Sequence, residues 1–228
     1  TTSDLCFEAA KKLLGETGWK TDEVDVLVFV SQSRDYFLPA TAITLQDRLG
    51  LPHTTLAFDI SLGCSGYVYG LSVIASLMAN GGLKKGLLMV GDISTFSLNI
   101  KDKSTYPLFG DAGTVTALEF AEGQKMTFNL QSDGSGAEAI IIPDGGLRNP
   151  LNEDSYKEVE IEPGVVRNRR NLALSGLDVF NFSLREVAPN IKSLFESTGT
   201  QVTDYDYFVF HQANRLMRDA DAPRRARQ

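Results

Sequence analysis

The sequence predicts an α/β fold, on three observations. Segments of strand length alternate with segments of helical periodicity through the first 120 residues. Residues 24–31 (VDVLVFVS) are apolar almost throughout, as expected for a strand covered on both faces of a parallel or mixed sheet. Glycines stand where these segments end. The 228 residues, 43% of them hydrophobic and 22% charged, are enough for one large domain or two small ones.

The elements of the first 120 residues follow from local signals. Ser3 or Asp4 can cap a first helix, whose apolar positions recur at helical spacing until Gly18 and include a buried Cys6. Pro39 suits the first position of a second helix, which continues to residue 49. The other predicted elements are strands at 55–60, 87–91 and 114–120, and a helix that follows the turn at 61–66 and reaches residue 80.

The pattern changes beyond residue 130. Residues 131–171 predict a loop-rich excursion with one strand at 157–161, because Gly, Pro, Asn and scattered charges dominate. An amphipathic helix follows at 177–198 with Phe180 on its apolar face, and then a strand at 205–210. Residues 218–228 have no apolar stripe and are given no fold role; a basic tail and a truncated or frame-shifted end are both compatible with their composition.

Charge and cysteine content exclude several classes of protein. A net charge of −7 argues against nucleic acid or an anionic membrane as the main partner. Two distant cysteines and no signal peptide predict no disulfide framework and a cytoplasmic location. With only two histidines besides, no metal site is expected. The uncharged run at 60–83 contains five glycines and several polar residues, and therefore predicts a turn and a buried helix rather than a membrane span.

Cys64 is the candidate nucleophile. It lies between a predicted strand and a predicted helix, flanked by Gly63 and Gly66, and a tight turn of this kind raises a side chain at the carboxyl edge of a sheet. The N-terminus of the helix favours a thiolate, and its N–H groups can stabilise an oxyanion. The alternative is a structural cysteine packed among small residues. The neighbouring Ser65 is a rival only with a base that the sequence does not identify.

His211 is the candidate partner of this cysteine. It follows the predicted strand at 205–210 and should also emerge at a carboxyl edge, with Gln212 and Asn214 behind it. His53 lies in a helix-to-strand turn and is interpreted as a surface residue. Residues 134–139 fit the G-x-G-x-x-A pattern but open no helix, so a dinucleotide site is not expected.

Three separated motifs carry a family resemblance. They are AFDISLGCSGY at 57–67, FGDAG at 109–113 and FHQAN at 210–214. In this order and spacing they resemble the β-ketoacyl-acyl-carrier-protein synthase III family of the thiolase-like fold, over residues 1–217. The resemblance implies a layered α/β/α/β/α architecture of two pseudo-symmetric halves. The N-terminal half would be residues 1–172 without its first strand, and the C-terminal half would begin at 173–217, so the fold is expected to be incomplete at both ends.

The resemblance also implies an enzyme of fatty-acid or related lipid and polyketide biosynthesis. Cys64 would take an acyl group from acyl-CoA, the enolate of malonyl-acyl-carrier protein would attack that thioester, and His211 would donate a hydrogen bond to the enolate oxygen. CoA enters as a substrate, and no separate cofactor is implied. The implied substrate-binding residues are Asn214 and Gly176 along the pantetheine tunnel, Lys103 facing the nucleotide, Phe180, and Leu38, which would reach into the partner's acyl pocket across a homodimer.

Two alternatives stay open. One is a related acyltransferase that uses an alcohol or amine acceptor without decarboxylation, with residues 131–171 shaping the acceptor site. The other is a catalytically incomplete fragment or silent partner, because the family's later Gly-Asn-Thr-Ser motif and last glycine-rich loop are not found in the sequence. A single well-placed histidine favours the type III arrangement over elongating synthases. The loop at 31–34 (SQSR) lacks the glutamate of hydroxymethylglutaryl-CoA synthases.

Overall fold

A computed structural model describes residues 1–213, which form two compact units. The first unit comprises Thr1–Phe96 and Phe109–Met126, and the second comprises Ser97–Leu108 and the described residues from Thr127 onward. The predicted boundary between pseudo-symmetric halves near residue 172 is a division of another kind and stays a prediction. Asn214 and the predicted tail at 218–228 lie outside the described residues.

The first unit is built on a four-stranded mixed sheet. Its strands are β1 (Val26–Val30), β2 (Leu56–Ile60), β3 (Lys85–Ile93) and β4 (Asp111–Glu119). Their order is β2-β1-β3-β4, with β1 parallel to both β2 and β3 and with β4 antiparallel to β3. All four predicted strands of this region are confirmed. The last two are longer than predicted because the β3–β4 ladder continues from Lys85 opposite Glu119 to Ile93 opposite Asp111.

Three helices cover this sheet: α1 (Thr2–Thr17), α2 (Thr41–Arg48) and α3 (Gly66–Gly81). The stop signals were predicted correctly, since Gly18 with φ 71° caps the C-terminus of α1 and Gly82 with φ 70° caps that of α3. The predicted start signals were wrong for both α1 and α2. Thr1 precedes α1, and Pro39 lies two residues before α2 rather than at its first position.

Helices pack on both faces of the sheet, as the apolar run at 24–31 predicted. Leu27 and Phe29 face the cluster formed with α1 and α2, whereas Val26, Val28 and Val30 face α3. All five side chains are buried, and each contributes roughly 1.5–3 kcal/mol through the apolar surface that it removes from water. The result is an α/β/α sandwich in which β1 is an inner strand covered on both faces.

The second unit contains less regular structure. Its elements are β5 (Ile140–Ile141), β6 (Val159–Glu162), β7 (Val165–Arg167), β8 (Ala173–Leu174) and α4 (Gly176–Thr198). β5 pairs with β8, and β6 pairs with β7, both antiparallel. An ion pair holds the long segment between β5 and β8. Arg169 donates from Nε and Nη2 to Asp144 at 2.9 Å each, and the Ser155 hydroxyl donates to the same carboxylate at 2.8 Å.

The strand predicted at 205–210 is not found. A strand needs a neighbour to accept and donate its backbone hydrogen bonds, and no residue up to 213 pairs with this segment. The segment is held through its aromatic rings instead. Tyr205 lies 5.5 Å from Phe195 of α4 and 5.9 Å from Phe208, measured between ring centroids. His211 therefore follows an aromatic-anchored segment rather than a paired strand.

Candidate active site

Cys64 lies in the turn between β2 and α3, and its side chain is exposed. The turn is short: β2 ends at Ile60, α3 begins at Gly66, and the Gly66 N–H donates to the Gly63 carbonyl at 2.8 Å. Because β1 and β2 are parallel, the loops that follow them leave the sheet at the same edge. This is the position that the sequence predicted for Cys64, at a carboxyl edge and at the entry to a helix.

Two glycines let α3 approach the sheet closely. A Cβ added at Gly66 would overlap Cγ1 of Val30, and a Cβ added at Gly70 would lie 2.5 Å from Cδ1 of Leu88. Val30 and Leu88 are both fully buried and have no space to move into. Glycine at these two positions therefore keeps the N-terminus of α3, and with it the Cys64 turn, tight against the sheet edge.

The loop that follows β1 contacts the same turn, which the sequence did not predict. A Cβ added at Gly63 would overlap the carboxamide of Gln32. The backbone of this loop is tied to the end of β3, because Asp92 Oδ1 accepts hydrogen bonds from Ser31 Oγ at 2.9 Å, Gln32 N at 2.8 Å, and Ser33 N and Oγ at 3.0 Å each. The available signal was a run of hydrogen-bonding residues directly after an apolar strand.

Cys6 is the second thiol of the chain, and its environment is the opposite of that of Cys64. Its side chain is fully buried on the inner face of α1, and Sγ–H donates weakly to the Thr114 carbonyl at 3.8 Å. Burial raises the pKa of the Cys6 thiol to about 11. The thiol is therefore protonated and inert at neutral pH, which confirms its prediction as a core residue.

Leu38 belongs to an exposed apolar run. Tyr36, Phe37 and Leu38 have exposed fractions of 65%, 69% and 86%, and the Arg34 guanidinium lies 4.9 Å from the centroid of the Phe37 ring. Three consecutive large apolar side chains in water are typical of a surface that another protein covers. The expected role of Leu38 across a dimer stays a prediction.

The second unit carries the other predicted site residues. The Lys103 ammonium donates to the Pro163 carbonyl at 2.5 Å, beside the β6–β7 turn. Gly176 is the first residue of α4, and Phe180 is half-buried on the same helix. His211 is exposed and belongs to this unit, whereas Cys64 belongs to the first. The pairing of these two residues in one site stays a prediction.

Residues 1–213 contain neither a metal-binding cluster nor a membrane-spanning helix. Between residues 1 and 213, no group of three or more His, Cys, Asp or Glu side chains is arranged to hold a metal ion. Within the same range, every helix is too short or too polar to cross a bilayer.

A helix-covered mixed sheet with a cysteine at a strand-to-helix turn is the arrangement expected of a thiolase-like condensing enzyme. The model of the 3-oxoacyl-[acyl-carrier-protein] synthase III family matches residues 58–134. A crystal structure of a 3-oxoacyl-(acyl-carrier-protein) synthase III superposes with a TM-score of 0.94 at 39% identity, covering 100% of this chain and 68% of that one. The chain belongs to the 3-oxoacyl-acyl-carrier-protein synthase III family, as the three motifs predicted.

Other relatives agree with this assignment. The putative 3-oxoacyl-[acyl-carrier-protein] synthase 3 of Campylobacter jejuni is 35% identical over 221 residues, 95% of this chain and 61% of the relative. The β-ketoacyl-[acyl-carrier-protein] synthase III of Streptococcus pneumoniae is 32% identical over 220 residues, 96% of this chain and 64% of the relative. A synthase structure from Burkholderia xenovorans LB400 gives a TM-score of 0.85 at 38% identity, covering 99% of this chain and 64% of that one. The chain thus spans a little under two thirds of the length of these curated relatives.

Proposed function

We propose that the protein carrying this chain is an acyl-CoA-primed condensing enzyme of fatty-acid or related lipid and polyketide biosynthesis. It joins an acyl group to malonyl-acyl-carrier protein with loss of CO₂. The observation that carries this proposal is the exposed Cys64 at the β2–α3 turn of a chain that belongs to the synthase III family. A cytoplasmic location, where thiols stay reduced, fits a cysteine nucleophile.

In the first half-reaction, the Cys64 thiolate attacks the thioester carbonyl of acyl-CoA. The bond between the carbonyl carbon and the CoA sulfur breaks, CoA leaves as a thiolate, and the acyl group remains on Cys64. Helix α3 begins two residues after Cys64 and directs its positive end at the turn. This partial charge stabilises both the thiolate and the oxyanion that forms at the acyl carbonyl.

In the second half-reaction, malonyl-acyl-carrier protein loses CO₂. The electrons of the broken carbon–carbon bond form an enolate, which attacks the acyl thioester and expels the Cys64 thiolate. His211 donates a hydrogen bond to the enolate oxygen and thereby lowers the barrier to decarboxylation. This assignment rests on the FHQAN motif at 210–214 and on membership of the family.

Substrate binding and assembly complete the proposal. Lys103 contacts the nucleotide of CoA; an ammonium has three donors, and the bond to the Pro163 carbonyl uses one of them. Gly176, Phe180 and Asn214 line the pantetheine and acyl path. The protein is a homodimer in which Leu38, within the exposed run at 36–38, reaches the partner's acyl pocket.

The proposal is tested by incubating the full-length protein with acyl-CoA and measuring its intact mass. We expect one acyl group on the wild type and on Cys6→Ala, and none on Cys64→Ala. Cys6→Ala is the matched control because it removes the other thiol of this chain, which is buried. A folded wild-type protein that gains no acyl mass would overturn the proposed nucleophile.

Release of CO₂ separates condensation from the alternative acyl transfer to an alcohol or amine. Condensation predicts that malonyl-acyl-carrier protein loses CO₂ when it is added to the acylated protein. The alternative predicts an acylated Cys64 that is discharged by an alcohol or amine acceptor, with no CO₂ formed from the malonyl group.

A further inference from the structure

The loop after β1 supports the Cys64 turn through the side chain of Gln32. The carboxamide packs on Gly63, the residue directly before Cys64, so closely that a Cβ at Gly63 would overlap it. Gln32 and Cys64 belong to the same compact unit, and their loops leave the sheet at the same edge. A change in the position or charge of the Gln32 side chain therefore affects Gly63, the residue that precedes the nucleophile.

Hydrogen bonds fix the backbone of residues 31–33, which carries the Gln32 side chain. Asp92 Oδ1 at the end of β3 accepts four hydrogen bonds of 2.8–3.0 Å from residues 31–33. The Ser33 hydroxyl in turn accepts from the Ile93 N–H at 2.8 Å, which ties the loop to the strand in both directions. Hydrogen bonds to a carboxylate are roughly twice as strong as neutral ones, so this clamp fixes the loop against the sheet.

We propose that Gln32 is a positioning residue for Cys64. Its carboxamide buttresses the turn through Gly63 and, because it is uncharged, places no negative charge beside the Cys64 thiolate. The inference rests on the proposed role of Cys64 as the nucleophile. It extends that role by assigning the support of the turn to a named side chain on a neighbouring loop.

Other ionisable side chains on the surrounding elements contribute to the electrostatics of this edge. They are Arg34 and Asp35 of the same loop, Asp59 of β2, Tyr67 in the first turn of α3, Asp92 of β3 and Asp111 of β4. Every variant below keeps all of them unchanged. A difference between variants therefore reports on position 32 or 63 and not on these groups.

The charge part of the proposal is tested with Gln32→Glu, which keeps the shape of the side chain and adds one negative charge. The measurement is the pH dependence of Cys64 alkylation by iodoacetamide in the full-length protein, followed by peptide mass. We expect the profile to move to higher pH, with alkylation roughly tenfold slower on its acidic side, because a nearby like charge disfavours the thiolate. The shift should shrink in 1 M salt.

Gln124→Glu is the matched control. Gln124 is exposed in the loop after β4, and β4 ends opposite the start of β3, so this loop lies at the opposite edge of the sheet from Cys64. The control adds the same net charge and should leave the alkylation profile in place. If Gln32→Glu also follows the wild-type profile while the protein is folded, the charge part of the proposal is wrong.

The contact itself is tested with a double-mutant cycle of Gly63→Ala and Gln32→Ala. The overlap at Gly63 involves the end of a flexible side chain, so Gly63→Ala can fold by pushing Gln32 aside. We expect each single variant to slow alkylation of Cys64 severalfold, and the double variant to be no slower than Gln32→Ala alone. Independent, multiplying losses would contradict the contact.

Alkylation and acylation together separate this inference from the proposed function. A protein whose Cys64 alkylation responds to Gln32 but which takes no acyl group from acyl-CoA would contradict the proposed function and leave the positioning role intact. A protein that is acylated normally, and whose alkylation ignores all changes at 32 and 63, would contradict only the positioning role.

Discussion

Cys6 and Cys64 show how strongly the fold controls one residue type. The sequence distinguished them through their neighbours: Cys6 lies on an apolar helical face, whereas Cys64 lies between glycines after a strand. The structure buries the first and exposes the second. Helical periodicity reports burial, so it is sufficient to predict Cys6 as a core residue. It is not sufficient to predict the role of Cys64.

The raised pKa of Cys6 predicts a loss of stability at alkaline pH. The folded-state pKa of about 11 exceeds the ordinary cysteine value of 9.0, so the thiol of the unfolded chain ionises first as the pH rises. The contribution of the buried, protonated Cys6 thiol to the free energy of unfolding is therefore complete below pH 9 and is lost as the pH approaches 11. Two pKa units correspond to about 2–3 kcal/mol in the free energy of unfolding.

This loss is measured by denaturant unfolding of the wild type and Cys6→Ala between pH 8 and 11. The two proteins share every other titrating group, so the difference between their unfolding free energies isolates the thiol. We expect the wild type to lose more stability than the variant across this range. Parallel pH dependences for the two proteins would show that the thiol titrates normally in the folded state.

At the scale of elements, β1 and β3 could be predicted because their apolar runs report burial directly. β2 and β4 could be predicted as strand-length runs between turn residues, although few of their side chains are buried. The starts of the helices were harder to predict. Ser3 and Asp4 match the cap pattern, but Thr1 is the N-cap of α1, Asp4 is the third residue of its capping box, and the Ser3 hydroxyl donates to Asp35. The segment at 205–210 shows the limit most clearly. Its composition is typical of a strand, but a strand also requires a pairing neighbour, which local sequence does not describe.

The surroundings of two helical glycines predict opposite effects on stability when each is changed to alanine. Gly66→Ala would drive a Cβ into buried Val30 and should reduce the free energy of unfolding by about 1–3 kcal/mol. Gly15→Ala, in α1, has open space around the new Cβ and should raise stability by roughly 0.5–1 kcal/mol through helix propensity.

Urea unfolding of both variants checks this pair of predictions. Gly66→Ala should also slow alkylation of Cys64, since the turn moves with the start of α3, whereas Gly15→Ala should not. If Gly66→Ala is as stable as the wild type, the close approach of α3 to β1 does not limit residue 66, and a loss of stability in Gly15→Ala would contradict the second prediction alone.

At the scale of the whole molecule, family membership was predictable because three motifs keep their order over more than 150 residues. The contact between the Gln32 loop and the Cys64 turn could not be predicted from the sequence. It joins residues 31 positions apart through a glycine whose missing side chain leaves no hydrophobic signal. The proposed partnership of Cys64 and His211 joins positions in two different compact units, and it follows from family resemblance rather than from periodicity.

The proposed division of labour predicts that the two half-reactions respond differently to His211→Ala. Acylation of Cys64 needs the thiolate and the turn, both in the first unit, so it should survive. Decarboxylation forms an enolate, and losing one hydrogen-bond donor to a developing oxyanion costs about 10²–10³-fold in rate.

Intact mass after incubation with acyl-CoA measures the first step, and CO₂ release from malonyl-acyl-carrier protein measures the second. His53→Ala, which removes an exposed histidine in the α2–β2 turn, is the matched control and should leave both steps unchanged. Equal losses of acylation and CO₂ release in His211→Ala would mean that this histidine serves Cys64 itself rather than the enolate.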